Sequence, residues 1–451
     1  MNFIYSNQII SFNDLFLVPL YLFLIIGFGY FIKSRNISTN SDYKFFIPGL
    51  LFKIVGVSFF IIIYLFYYNG GDTVNYFLGT RALGGLILQD LDKGFAVLFN
   101  TDSVFNNFSS FNTVTGYPPT YMWRDPNTFS VSRFTLPLYL LGSKSFIITS
   151  FLTACFSYFG VWKLYRLFNI LYPGNSKPLA YLILFLPSLI FWGSGIMKDS
   201  FVLGATCWIS YNFYQVFIAR KKIIFNAMLL VVNLFIILTI KAYVITSLVP
   251  GMLLWLNSAY IKNINSSLGK VFIFPILLTA IGLIGFYIFE NLSSLMGVYG
   301  NVDTALQQAQ VIQEDLLRED QYGSNSYRLG EIDGSLIGLL SVAPIAIFTA
   351  LFRPLFWEIG SPTMVISALE NTILIVFTII ILIRTNPINL IRVLWNHPFL
   401  FYCFVFSLFF AFGVGIAGTN FGALVRYKTP LVPFFFSYIY LIYRLSKNAK
   451  N

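Results

Sequence analysis

Apolar residues in this chain neither alternate with polar ones nor recur as a narrow stripe; they come in long unbroken runs. Phe52 to Tyr68, Val271 to Phe289, Ile373 to Ile383 with its flanks, and Phe399 to Ala417 are examples. Runs of this length match what a helix needs to cross a hydrocarbon core. Backbone groups in lipid must find partners within their own segment, so such runs are helices unless they close a barrel. A barrel would show shorter, alternating strands, and these runs do not alternate. The pattern predicts spanning helices near residues 14–33, 47–68, 136–165, 179–196, 200–219, 225–240, 243–259, 271–289, 366–384, 398–417 and 428–444. A further run at 335–352 contains Pro344 and ends in Phe352-Arg353-Pro354, so it reads equally as a span or as a re-entrant or interfacial helix. The expected fold is an all-α polytopic membrane protein with about 11–12 transmembrane helices in one transmembrane domain over 1–451.

Two long polar segments interrupt the pattern, at 69–135 and at 290–333. The first contains two amphipathic stretches, near 74–90 and 94–106, that are expected to lie flat on the bilayer. Basic clusters at Lys33, Arg35 and Lys44, at Arg220-Lys221-Lys222, and at the tail predict the cytoplasmic side. With eleven crossings this rule puts the N-terminus and both polar segments outside and the C-terminus inside. The start, MNFIYSNQIISFND, lacks the basic region of a signal peptide, so the first helix is expected to be retained. No internal repeat of the inverted-transporter kind is visible.

Composition agrees with the pattern. The chain is 57% hydrophobic and 10% charged, against about 25% charged in soluble domains. Its net charge of +11 would suggest nucleic acid in a soluble protein, but here the cations cluster at helix ends, as topology anchors do. No nucleic-acid partner is expected, and membrane lipids are. Cys155, Cys207 and Cys403 lie within apolar runs and read as small core residues. A single histidine, His397, excludes a multi-histidine metal site.

Four segments contain residues suited to chemistry. Tyr68-Asn-Gly-Gly-Asp72 places a carboxylate at the mouth of the second helix, behind a glycine turn. Asp72 there suits a general base or a metal ligand; the plainer role is a helix N-cap. Lys198-Asp199 falls in an irregular turn with Pro187, Trp192, Gly193 and Gly195, where broken backbone at membrane depth usually lines a cavity. Helix-end punctuation explains it equally well. Arg426 and Lys428, before the last helix, are external cations that run against the charge rule and suit a phosphate. Their plainer role is snorkelling to head groups. Lys241 and Arg353 are further external cations. Asp90-Leu-Asp92 is a DxD, a pair that often arises by chance.

Taken together, these segments resemble the GT-C superfamily of membrane glycosyltransferases, which use polyprenyl-phosphate-linked sugars outside the cytoplasm. Gly70-Gly71-Asp72 through Tyr76, followed by Arg81, is similar to that family's first external loop, and the two amphipathic stretches resemble its juxtamembrane helices. Arg426-Tyr-Lys-Thr-Pro430 is similar to an Arg-Tyr-Arg-x-Pro pattern before the last helix of many bacterial members. The resemblance spans roughly residues 46–260 in topology, plus the C-terminal motif. It implies a bacterial inner (plasma) membrane protein and an active site facing outside. Asp72 is the implied catalytic base, and Asp199 positions the acceptor or assists a divalent metal ion. Tyr76, Arg81, Lys198, Lys241, Arg353, Arg426 and Lys428 are the implied substrate-binding residues. The implied donor is a polyprenyl-phosphate-linked sugar and the acceptor a glycan, lipid or protein; the resemblance leaves the metal requirement open. Two other readings compete: an O-antigen or exopolysaccharide polymerase, which is expected to lean on external arginines, and a transporter of lipid-linked glycans. Against transport stands the scarcity of charges at mid-helix depth, with Lys53, near a helix end, as the main exception.

Overall fold

The computed structural model describes residues 9–99, 109–123, 125–261, 326, 327, 329 and 336–448, with isolated positions at 307, 311 and 314. The predicted helix at 271–289, nearly all of the 290–333 segment and residues 100–106 lie outside the described residues. Among those described, the regular structure is helical. Six stretches are long and apolar enough to cross a bilayer: Asp14–Asn36, Ser41–Tyr67, Phe146–Leu171, Ile223–Lys241, Pro362–Arg384 and Pro398–Ala417. That is the architecture of a helical integral membrane protein. The chain divides into two compact units, residues 1–211 with 229–241, and residues 212–228 with 242–451.

In the first unit, α1 (Asp14–Asn36) exposes most of its apolar side chains, such as Phe16 at 67% and Phe23 at 74%. Water would penalise such a surface, but lipid does not. The next span runs from a 3₁₀ turn at Ser41–Phe45 through α2 (Phe46–Ile62) into a π-helical turn at Ile63–Tyr67. Two helices follow in the first polar segment, α3 (Asp72–Gln89), close to the stretch expected at 74–90, and α4 (Leu91–Phe99), which overlaps the first residues of the stretch expected at 94–106. The span expected at 136–165 is instead two helices, α5 (Pro126–Leu141) and α6 (Phe146–Leu171). Ser143 and Lys144 adopt left-handed backbone between them, and the Ser145 hydroxyl caps α6 by accepting from the Ile148 amide. The run expected at 179–196 is likewise broken, into α7 (Ser176–Leu184) and α8 (Pro187–Trp192), since Pro187 cannot continue a helix. An irregular segment at 193–197 leads into α9 (Lys198–Phe213), continued by a π turn at Tyr214–Ile218; α10 (Ile223–Lys241) comes next, and the stretch 212–228 within these elements is assigned to the second unit.

Close packing holds this unit together, because apolar side chains gain little by leaving lipid for protein. The ring of Phe46 meets Trp162 edge-on at 4.9 Å and Tyr158 at 5.6 Å. Gly160 of α6 lies so near Gly204 of α9 that a Cβ would sit 2.3 Å from the Gly204 carbonyl oxygen. Lys53, expected near a helix end, sits at the middle of the Ser41–Tyr67 span, is buried, and donates to the Gly193 carbonyl at 2.6 Å. The extra turn at the start of that span accounts for the difference.

The second unit contains α11 (Tyr243–Ile261), α12 (Leu336–Phe352), α13 (Pro362–Arg384), α14 (Pro387–Asn396), α15 (Pro398–Ala417), α16 (Phe421–Tyr427) and α17 (Val432–Asn448). Helix α15 is its centre, packed against α11, α12 and α17. Trp255 stacks on Tyr402 at 5.4 Å, and Phe406 meets Phe434 at 5.0 Å. Short helix α14 has no counterpart in the sequence reading, and the span expected at 428–444 begins later, at Val432, after α16.

Candidate functional site

Asp72 is placed by the turn that precedes it. Asn69, Gly70 and Gly71 take positive φ in succession, at 51°, 115° and 78°. Gly71, with ψ of −159°, stands in a region open almost only to glycine. This reversal ends the π turn, with the Gly70 amide donating to the Tyr64 carbonyl at 2.8 Å. Gly71 itself takes the cap position, so Asp72 is the first residue of α3 rather than its N-cap. The partial positive charge of the helix start favours a carboxylate there. Asp72 is half-buried.

A tyrosine links Asp72 to the rest of the site. The Tyr121 phenol lies within electrostatic reach of Asp72, of Asn75 one turn along α3, and of Asp125. Partial removal from water, then the negative charge of Asp72 and lastly that of Asp125, push the Tyr121 phenol well above its ordinary range. The phenol therefore keeps its proton.

Asp125 caps α5. Its Oδ1 accepts from the amides of Asn127 at 3.0 Å and Thr128 at 3.2 Å, and its Oδ2 accepts from the Thr128 hydroxyl. Lys198 reaches the same pair, donating to Thr128 Oγ1 at 2.6 Å and to Asp125 Oδ2 at 3.3 Å. Burial alone would raise the Asp125 carboxyl, but Lys198 and the Thr128 bonds outweigh it and hold the pKa below the usual value. Lys198 opens α9, where the helix dipole disfavours a cation. A residue that breaks a local rule is expected at functional or strained positions. The first unit thus gathers two carboxylates, a neutral phenol, an amide, a hydroxyl and an ammonium around Tyr121 and Thr128.

Asp199, next in sequence, takes a different partner. Lys241, in the last turn of α10, donates to its Oδ1 at 2.6 Å, and both side chains are buried. This pair fastens the start of α9 to the end of α10. Tyr76 is buried on α3, its carbonyl accepting from Thr80 and Ser132. Arg81 lies nine residues beyond Asp72, about 13 Å along the helix axis. It is exposed, and its charge bears on Tyr139. Asp72 and the Asp125–Lys198 pair thus both bear on Tyr121, Tyr76 stands one turn beyond Asp72 on the same helix, and Arg81 lies farther along it.

The second unit holds the other predicted cations. The Arg353 guanidinium donates to Glu358 through Nε and Nη2. It also packs 4.8 Å from the Phe421 ring and 5.2 Å from Tyr327, two rings stacked at 4.7 Å. Buried Lys428 donates to the Arg353 carbonyl and to Asn371 Oδ1, both at 2.9 Å. Arg426 is half-buried in the last turn of α16. Arg353 and Lys428 thus belong to one neighbourhood, and their polar groups are engaged within it.

Among the described residues no group of three His, Cys, Asp or Glu side chains stands together, so a divalent ion here would have to rely on one or two carboxylates together with substrate phosphate. Asp125 already carries an ammonium. The DxD fares no better: Asp90 accepts from the Lys93 amide at 3.1 Å and pairs with the Lys93 ammonium at 3.1 Å, which stabilises the start of α4.

Tyr121, Asp125 and Thr128 are absent from the sequence-based set of site residues. Asp125-Pro126 followed by a helical stretch is a helix-start signal, and it marks the true beginning of α5. Nothing in the local sequence marks Tyr121, because its place depends on how the 109–123 segment folds back. Comparison with protein-family models, with curated proteins and with solved structures yields no match.

Proposed function

We propose that this protein is a glycosyltransferase that moves a sugar from a polyprenyl-phosphate-linked donor to an acceptor on the extracytoplasmic side of the membrane. The observation that carries the reading is that Asp72, at the membrane-proximal start of α3, and Asp125, which pairs with Lys198, both act electrostatically on Tyr121, so a carboxylate and an ammonium share one polar neighbourhood. Sugar transfer needs an anionic base on one side of the anomeric carbon and a cation where the phosphate departs. In the proposed step, the acceptor hydroxyl gives its proton to the Asp72 carboxylate. Its oxygen then forms a bond to the anomeric carbon. The bond from that carbon to the phosphate oxygen breaks, and the phosphate leaves with the electron pair. Lys198 exchanges its contact with Asp125 for the departing phosphate and stabilises its charge. Tyr121 and Asn75 hold the hydroxyl groups of the sugar or acceptor, and the Asp199–Lys241 pair fixes the backbone from which Lys198 projects. Arg426 and Lys428 are assigned as further phosphate-seeking cations of the second unit.

One observation favours transport: a buried lysine at mid-span, Lys53, is the kind of group transporters use. Its bond to the Gly193 carbonyl gives it a structural role at the break after α8. The readings separate in proteoliposomes holding the full chain and a radiolabelled polyprenyl-phosphate sugar, with sugar acceptors supplied. Transfer yields a new covalent glycoside, and that product is lost in Asp72→Asn. Movement of the label across the bilayer with no covalent product supports transport instead. A product that survives Asp72→Asn but disappears in Arg426→Ala supports the polymerase reading.

A further inference from the structure

Every charged side chain from Asn371 to Asn451 is a lysine or an arginine. Helix α14 stands within this stretch, between the end of α13 at Arg384 and the start of α15 at Pro398. It is too short to cross a bilayer, and its residues fall into three sectors. At 100° per residue, Ile388, Ile391 and Trp395 lie within about 60° of one another. They are 64%, 55% and 62% exposed. Val393 is buried and Leu390 and Leu394 half-buried, forming the side that packs on α17 and α15. Arg392 follows the exposed apolar sector by about 40°, and Asn396 and Asn389 come next. One flank of the helix thus suits protein, one suits acyl chains and one suits water.

A helix with that division lies in the membrane interface, its axis along the surface. Its cationic surroundings come from three elements. Arg384 closes α13, Arg392 stands on α14, and Arg444 and Lys447 end α17. Tyr443 of α17 meets Phe377 of α13 at 5.6 Å, which brings the ends of these two helices to the same level. The exposed aromatic Trp395 is the residue type most at home at head-group depth.

We infer that α14 is a membrane-surface element that binds anionic phospholipid head groups through Arg384, Arg392 and the basic end of α17, with Ile388, Ile391 and Trp395 inserted among the upper acyl carbons. The occupant is the bilayer itself, and the inference stands apart from the sugar-transfer reading. Charge complementarity selects the lipid: cations from a stretch that contains no Asp or Glu gain from each phosphate that a zwitterionic head group balances internally.

Full-length protein in nanodiscs of phosphatidylcholine mixed with phosphatidylglycerol tests this by two readouts. Native mass spectrometry of released particles counts the phosphatidylglycerol retained. Enrichment is expected in the parent protein, to persist in Arg384→Lys/Arg392→Lys, and to fall roughly tenfold or more in Arg384→Gln/Arg392→Gln. A nitroxide at Ile391→Cys, with the native cysteines replaced by alanine, reports depth by collision with oxygen against a water-soluble nickel chelate. It is expected at the boundary between head groups and acyl chains. Equal phosphatidylglycerol retention in the glutamine variant, or a label at Ile391 as open to the chelate as one at exposed Val114, overturns the inference.

Discussion

Asp125 shows how a residue with an ordinary structural task can also organise a reaction site. It caps α5 and at the same time receives Lys198. Its pKa is depressed, because Lys198 and Thr128 favour the charged form more than burial opposes it. A carboxylate whose folded pKa lies below its unfolded value adds stability that is complete above the ordinary value of 3.8 and is lost as pH falls through the lower folded value. Asp125→Asn should therefore be less stable than the parent at neutral pH, and the difference should shrink toward zero in acid. Denaturant midpoints measured across a pH series check this; a gap that widens in acid would refute it. In the proposed transfer, Lys198 meets the charge that develops on the leaving phosphate. Lys198→Met should lower the rate of sugar transfer by about 10²–10³-fold, the loss typical of one preorganised group at a developing negative charge. Transfer assays with saturating donor read that loss directly. Asp72 and Lys198 stand out in the sequence, as a carboxylate behind two glycines and as a cation in an irregular turn with Pro187, Gly193 and Gly195. Tyr121 is not legible, since a lone tyrosine in a polar segment resembles many others until the chain folds back on Asn75.

At the scale of elements, hydrophobic runs locate helices well and their interruptions poorly. The spans at 14–33, 47–68 and 398–417 agree closely with α1, the Ser41–Tyr67 run and α15. The runs at 136–165 and 179–196 were each read as one helix, yet each is two. Averaging over an apolar window passes straight across Gly142-Ser143-Lys144-Ser145 and Leu186-Pro187, although both contain helix-breaking chemistry. Those breaks matter to the site, because the second delivers Lys198 and Asp199 from irregular backbone. Helix contacts in this unit depend on close approach, and Gly160 beside Gly204 is the tightest backbone contact between α6 and α9 that the glycines disclose. Gly160→Ala should destabilise the protein by about 1–3 kcal/mol through overpacking. Gly413→Ala, where a Cβ meets nothing within 4 Å, should be neutral or stabilising by up to about 1 kcal/mol, since alanine is the better helix former. Thermal unfolding of the two variants in one detergent compares them, and a Gly160→Ala variant as stable as the parent would show that the helices have room to separate.

For the whole molecule, lipid accounts for features that water would forbid. The exposed apolar face of α1 is stable against a bilayer and follows from composition once the chain is read as membrane-bound, whereas α14, with Ile388, Ile391 and Trp395 exposed, was not legible in the apolar runs. The division into two units is not legible in a uniform apolar pattern; it emerges from which helices pack. The first unit contains Asp72 and the Lys198–Asp125 pair, the groups assigned to base and cation in the proposed transfer, and the second contains Arg353 and Lys428 in a network of their own. The proposed function therefore turns on whether the Asp72 carboxylate accepts a proton during transfer. The most direct measurement is single-turnover sugar transfer with the polyprenyl-phosphate donor already bound, comparing the parent with Asp72→Asn. The account predicts unchanged donor binding and a transfer rate lower by about 10²–10⁴-fold. Transfer at the parental rate in Asp72→Asn would contradict it.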